Sequence, residues 1–221
     1  MVNSVILQFL NDLSVNNNRE WFHANKDYYQ KAKLAFDELT LRLIAMINEV
    51  DQSVGLIELK DCTYRIYRDT RFSTDKTPYK THMGAYIVRG GKKSPFAGYY
   101  FHFEPGKCFA WGGSHIPESR VLNALREEIY HKPDQFKAIV HHPDFVSAFG
   151  AIEGEKLKTA PKGFDKHFAD IDLLRYKSYG AMHAYSDQEV LDANFEQQLK
   201  ELLPKMVPMV AFLNNVVEDL V

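Results

Sequence analysis

Between Cys62 and Lys80 the chain reads CTYRIYRDTRFSTDKTPYK. Arg65, Arg68, Arg71, Lys76 and Lys80 stand here among Tyr64, Ile66, Tyr67, Phe72 and Tyr79. A solvated charge run is polar throughout, and a core strand holds few charges. A segment that is both cationic and aromatic must hold guanidinium groups beside apolar surface. Such cations need partners, either carboxylates of the chain itself or an anionic ligand. Read as a strand, residues 63–72 place Arg65, Tyr67, Asp69 and Arg71 on one face. Tyr64, Ile66, Arg68, Thr70 and Phe72 fall on the other. In that arrangement Asp69 bridges Arg65 and Arg71 and leaves a net positive row. Arginine forks suit phosphate and carboxylate. The following loop, Ser73 to Pro78, adds Lys76, and Lys80 comes just after it.

Two readings follow from these residues. In the first, a small anionic ligand bearing phosphate or carboxylate binds in a cleft lined by Arg65, Arg68, Arg71, Lys76 and Lys80. Arg19 or Lys162 closes the cleft, Tyr67 or Tyr79 positions the ligand, and Asp69 orients an arginine. Chemistry at such a site would be phosphoryl or acyl transfer stabilised by the arginines, but no residue stands out as a nucleophile. In the second, the same charges are a structural ion-pair network, with Glu20, Asp61, Asp69 and Asp75 as counter-charges. The chain would then be a non-enzymatic module that binds a protein or a nucleic-acid backbone.

Other clusters carry weaker chemistry. Asn16–Lys26 (NNNREWFHANK) opens a helix with three asparagines, which offer caps and an amino terminus that attracts anions. Trp111–Glu118 (WGGSHIPE) reads as a tight strand-to-helix connection and lacks the spacing of a phosphate loop or dinucleotide fingerprint. Lys156–Asp165, with Arg175, Lys177 and Tyr179 downstream, is a basic irregular loop that reads as solvated surface. His82, His102, His115, His141 and His142 show no HExxH and no His-x-His pair, so neither a metal nor a cofactor is expected. Cys108 lies in an apolar strand and should behave as a small hydrophobe.

The composition bounds these options. The chain has 221 residues, 45% hydrophobic and 25% charged, enough for one domain with a sizeable core. Fifteen phenylalanines and twelve tyrosines make that core rich in rings. A net charge of −2 argues against nucleic acid as a partner through the whole surface. Two distant cysteines do not form a disulfide framework. The amino terminus lacks a basic region and a cleavage site, and no apolar stretch approaches spanning length. The expected compartment is the cytoplasm, with no membrane partner.

The elements that must hold the basic segment are read from periodicity. Residues 3–13 and 18–50 have the apolar stripes of two helices, the second long and unbroken. Residues 62–72, 82–89, 98–104 and 107–112 read as strands of an antiparallel meander, with 178–185 a candidate further strand and turns at Gly90–Ser94 and Pro105–Gly106. Pro117, Pro133 and Pro143 each open a helix. Ser186 and Glu189 form a capping box, and Pro204 and Pro208 should break or kink the last helix. The fold class is α+β: a mainly antiparallel sheet covered on one face by the amino- and carboxy-terminal helices.

The runs NNREWFHANKDYY, YRIYRDTRFSTDKTPYKTHMGAY, GYYFHFEP, PKGF and LLRYKSY, taken together, resemble a widespread bacterial family of uncharacterised proteins of similar size. Its members carry a single domain of unknown function. The RDTRFSxDKxPYK core is the specific part, and the likeness extends over nearly the whole chain. It implies a single intact domain and brings no activity, cofactor or catalytic residue with it.

Overall fold

The structure is a computed structural model that describes residues 2–221, with side chains from Ser4 onward. The chain opens with α1 (Val2–Val15), α2 (Arg19–Ala24) and α3 (Lys26–Val50), followed by a short 3-10 turn and α4 (Leu59–Cys62). The strands β1 (Met83–Ile87), β2 (Gly98–Phe103) and β3 (Cys108–Ser114) come next. Four helices follow: α5 (Ser119–His131), α6 (Pro133–Val140), α7 (Pro143–Phe149) and α8 (Ile171–Leu174). Then come β4 (Tyr179–Tyr185), α9 (Asp187–Leu191) and α10 (Phe195–Glu218). The fold is α+β. Among the described residues, ten α-helices surround one antiparallel sheet of order β1-β2-β3-β4.

The sheet faces follow from the two-residue period. Met83, Ala85, Ile87, Tyr99, Phe101, Phe103, Cys108, Ala110, Tyr179, Ala181 and Tyr185 are buried and share one face by register. Helix α10 crosses β3 on this face, where a Cβ on Gly112 would stand 3.0 Å from the Met206 sulfur. α3 lies against α10, and α1 runs along α3. The α3 stripe Ala32, Ala35, Phe36, Leu39, Leu43, Met46 and Ile47 is buried at helical spacing. Thr40 sits in that stripe without loss because its hydroxyl donates to the Phe36 carbonyl at 2.8 Å. Gly84, Tyr86, Tyr100, His102, Phe109, Trp111, Gly180 and Met182 make the other face.

Three expectations are corrected. Residues 62–72 are not a strand. Cys62 ends α4, Thr63 makes one bridge to Ala85, and the chain then leaves the sheet. It returns as a narrow stem: Lys80 N–H donates to the Ile66 carbonyl (2.8 Å) and Arg68 N–H to the Pro78 carbonyl (2.9 Å) around a single Tyr67–Tyr79 bridge. Of residues 63–72 only Ile66 is buried, so the segment lacks the buried face that would dock it as a strand. The fourth strand is β4, paired along its whole length with β3.

The long helix expected over 18–50 is broken at Asn25, whose φ and ψ are −109° and 27°. Its side-chain amide (2.9 Å) and its own N–H (3.0 Å) both donate to the Trp21 carbonyl, so Asn25 closes α2 as its C-cap. Pro204 and Pro208 do not break α10. Lys200, Pro204 and Pro208 are all exposed at four-residue spacing, so the carbonyls that lose a donor face water. Leu203, Met206, Met209, Val210 and Leu213 hold the opposite stripe in the core. Ser186 and Glu189 do form the capping box, at the start of α9.

Candidate functional site

The stem of residues 64–80 is fixed to the helical layer by one side chain. Asn17, in the turn between α1 and α2, donates to the Tyr79 carbonyl (2.9 Å) and accepts from the Tyr79 N–H (3.1 Å). Tyr79 then stacks on Phe22 of α2 with ring centroids 3.9 Å apart and planes 13° apart. Asn18 caps α2 by accepting from the Trp21 N–H at 2.9 Å. These contacts bring α2 alongside the stem. Arg19, His23, Tyr67, Arg68, Thr70, Pro78 and Tyr79 line the hollow between them, which measures about 320 Å³.

The arginines divide into paired and unpaired. Arg68 is clamped inside its own loop by the Asp75 carboxylate and by the hydroxyl and carbonyl of Thr77. Asp75 is held down to about 2 by the Thr77 N–H, the Arg68 fork and the Thr77 hydroxyl. Arg71 forks onto Asp69, with Nε 2.9 Å from Oδ1 and Nη2 2.6 Å from Oδ2. That pair is exposed and lies outside the hollow. Lys76 donates to the Thr70 carbonyl at 2.9 Å. Arg19 and Arg65 make no ion pair among the described residues. Nor does Lys80, whose ammonium lies 5.4 Å from the centre of the Tyr64 ring. Desolvation, then the charge of Arg65, lowers the Lys80 pKa. Of the four acids read as counter-charges, Asp69 and Asp75 pair with the cluster; Glu20 and Asp61 do not.

Lys162 stands apart. It is exposed in the loop before α8, whose Phe164 packs on Tyr130 of α5, and among the described residues it makes no hydrogen bond or ion pair with the stem. The neighbouring basic residues are tied to the loop itself. Arg175 donates to the carbonyls of Leu157 (2.8 Å) and Lys158 (2.6 Å), and Lys177 pairs with Glu155 at 2.9 Å.

A buried cation escaped the sequence reading altogether. Arg126 of α5 is 6% exposed; its Nη2 donates to the Tyr176 carbonyl at 2.9 Å, and its Nε has no partner among the described residues. Its one sequence signal is a charge on the apolar face of α5, between Leu125 and Ile129.

The second sheet face holds a polar row that the sequence reading also missed. Tyr100, His102 and Glu104 succeed one another at the two-residue period of β2 and its continuation. The Tyr100 hydroxyl is 2.9 Å from His102 Nδ1, and His102 Nε2 is 3.2 Å from Glu104 Oε2. The Thr81 hydroxyl donates to Glu104 Oε1 at 2.9 Å. The His82 ring lies 4.5 Å from the His102 ring. Burial pushes His82 down to about 4, helped by the charge of His102, and burial also lowers His102. Burial alone would raise Glu104, but hydrogen bonds from His102 and Thr81 outweigh it and hold the carboxyl below its usual range. With His102 neutral, its Nε2–H donates to Glu104 and its Nδ1 accepts from the Tyr100 hydroxyl. The two cysteines are free and buried, and burial pushes both thiols up to about 11, so neither is a ready nucleophile.

The family described as "Conserved hypothetical protein (DUF2461)" matches residues 5–212. The chain belongs to this family. The match includes the stem, the α2 hollow and the Tyr100–His102–Glu104 row, so both polar sites lie within the part of the chain that is typical of the family. Curated proteins and solved structures give no match. Among the described residues, no helix is long and apolar enough to cross a membrane.

Proposed function

We propose that the chain binds a small anionic ligand, bearing phosphate or carboxylate, in the hollow between α2 and the stem. The observation that carries the proposal is Arg19. It lines the hollow together with Arg68 and has no carboxylate partner among the described residues. His23 and Tyr67 line the same space. A volume of about 320 Å³ suits a small ligand rather than a polymer. Arg68 keeps donors in the wall while its clamp fixes the guanidinium plane, which is the geometry that favours forked recognition of oxyanions. Arg65 and Lys80 add positive potential from the stem. Arg71, Asp69 and Lys76 hold the loop rather than the ligand, as their internal hydrogen bonds suggest. The proposal takes the chain as a single domain, supported by one continuous core that runs from Ile6 to Val217.

The test is calorimetric titration with inorganic phosphate and with a small carboxylate at low salt. The parent chain binds one of them at one site, and Arg19→Ala weakens binding about tenfold or more, as loss of a charge-assisted pair requires. The melting temperature stays unchanged, because the Arg19 side chain makes no hydrogen bond or ion pair among the described residues. Equal affinity in parent and variant would remove the hollow as the site.

A further inference from the structure

We propose that His82, His102 and Glu104 form a binding site for one divalent first-row transition metal ion, held by two imidazoles and one carboxylate. One donor atom from each lies within 4.8 Å of the others. His102 Nε2 and Glu104 Oε2 are 3.2 Å apart. Two metal bonds of about 2.1 Å meeting at about 100° span that same separation. His82 completes the set when its ring turns toward that pair: tetrahedral donors at such bond lengths stand about 3.4 Å apart, so a separation that lies within 4.8 Å closes by at most about 1.4 Å.

The backbone holds these donors on neighbouring elements. The β1–β2 register, continued one step past the Met83–Phe103 pair, sets His82 opposite Glu104. Around the donors stands a supporting shell. The Tyr100 oxygen, 2.9 Å from His102 Nδ1, can accept the proton of that nitrogen and so free Nε2 for a metal. The Thr81 hydroxyl, 2.9 Å from Glu104 Oε1, turns Oε2 toward the site. His82 makes no hydrogen bond among the described residues, so no internal partner competes for its lone pair.

The donor set also limits which ion fits. Lys107 lies 3.7 Å from Glu104, and the charge of Lys80 is felt at His82, so the surroundings offer little net negative charge. Hard cations that rely on several carboxylates gain little here. An ion with strong affinity for imidazole, such as zinc, iron(II) or cobalt(II), is the class that fits. Three protein donors leave at least one position for water or a further ligand. The site is independent of the α2 hollow and shares no residue with it.

The test uses the full, tag-free, metal-stripped chain in phosphate-free buffer, titrated with Co²⁺ and read by its visible absorption, then with Zn²⁺ in competition with a chelating dye. One ion per chain is expected, with the ring-proton NMR signals of His82 and His102 shifting on Zn²⁺ addition. His82→Gln should weaken binding by about tenfold or more and leave the metal-free melting temperature and phosphate affinity unchanged. If that variant misfolds, the ring-proton shifts in the parent chain decide the matter. No stoichiometric binding, or binding that leaves both histidine rings and the His82→Gln affinity unmoved, would mean that the row is a hydrogen-bonded chain without a metal.

Discussion

Asn214→Leu should be among the most damaging single changes at the junction of helix and sheet. Asn214 lies in α10 and reaches Ala97, the residue just before β2. Its Oδ1 accepts from the Ala97 N–H at 2.7 Å, and its Nδ2 donates to the Ala97 carbonyl at 3.1 Å. Both residues are buried, at 8% and 1% exposure, so water cannot replace either bond. Leucine keeps the volume and removes both partners. Each orphaned backbone group costs about 1–3 kcal/mol, and the two together about 2–6 kcal/mol. For a chain of this size, at about 2–4 °C per kcal/mol, that is a fall of about 4–24 °C in melting temperature. Chemical denaturation monitored by circular dichroism measures it. Arg71→Ala is the control: its exposed fork to Asp69 should leave the transition where it was. An Asn214→Leu variant within about 0.5 kcal/mol of the parent would refute the reasoning, because surface changes alone reach that much.

Pro204→Ala should stabilise α10 by about 1 kcal/mol, since the new N–H completes the helical ladder while the unfolded chain regains some freedom. A lower denaturation midpoint than the parent would count against the account of the exposed proline stripe. Gly180→Ala should destabilise the sheet by about 1–3 kcal/mol, because the new Cβ would stand 2.2 Å from the Trp111 indole; unchanged stability and unchanged tryptophan fluorescence would contradict that packing. The stem should loosen in acid. Asp75 is depressed to about 2 from an ordinary value of 3.8, and Asp69 is lowered by its bonds from Arg71, so their contribution is complete above about pH 4 and is lost as pH falls toward 2. Amide exchange at Thr77 should accelerate over that window, and a flat profile would show that the clamp does not order the loop.

The helical framework was legible because it is written in local periods. The α3 stripe and the Ser186–Glu189 box need only neighbours in sequence to be recognised. The turn at Pro105–Gly106 was equally plain, and Gly106 does take a positive φ of 75°. The stem was misread because Tyr64, Ile66, Tyr67 and Phe72 have strand-forming side chains, yet what the segment packs against is decided by Asn17, some sixty residues away. Asn25 and the two prolines show the opposite errors. Asn25 interrupts a helix by leaving the helical backbone region at its own position, while two helix breakers are tolerated where their orphan carbonyls face water.

The sites divide in the same way. Arginine type and spacing marked the stem, but only the tertiary pairing separates Arg68 and Arg71, which are tied, from Arg19, which faces a hollow. Lys162 was grouped with them by charge alone. The Tyr100–His102–Glu104 row was within reach of the two-residue period, whereas the approach of His82 depends on the β1–β2 register, which no short-range pattern reveals.

The most direct measurement of the central claim is the position of an anion. Crystals grown with selenate, located by the anomalous signal of selenium, should show one ion within hydrogen-bonding distance of the Arg19 and Arg68 guanidinium groups. Selenate bound elsewhere on the stem, with the space between α2 and Tyr67 left to water, would contradict it.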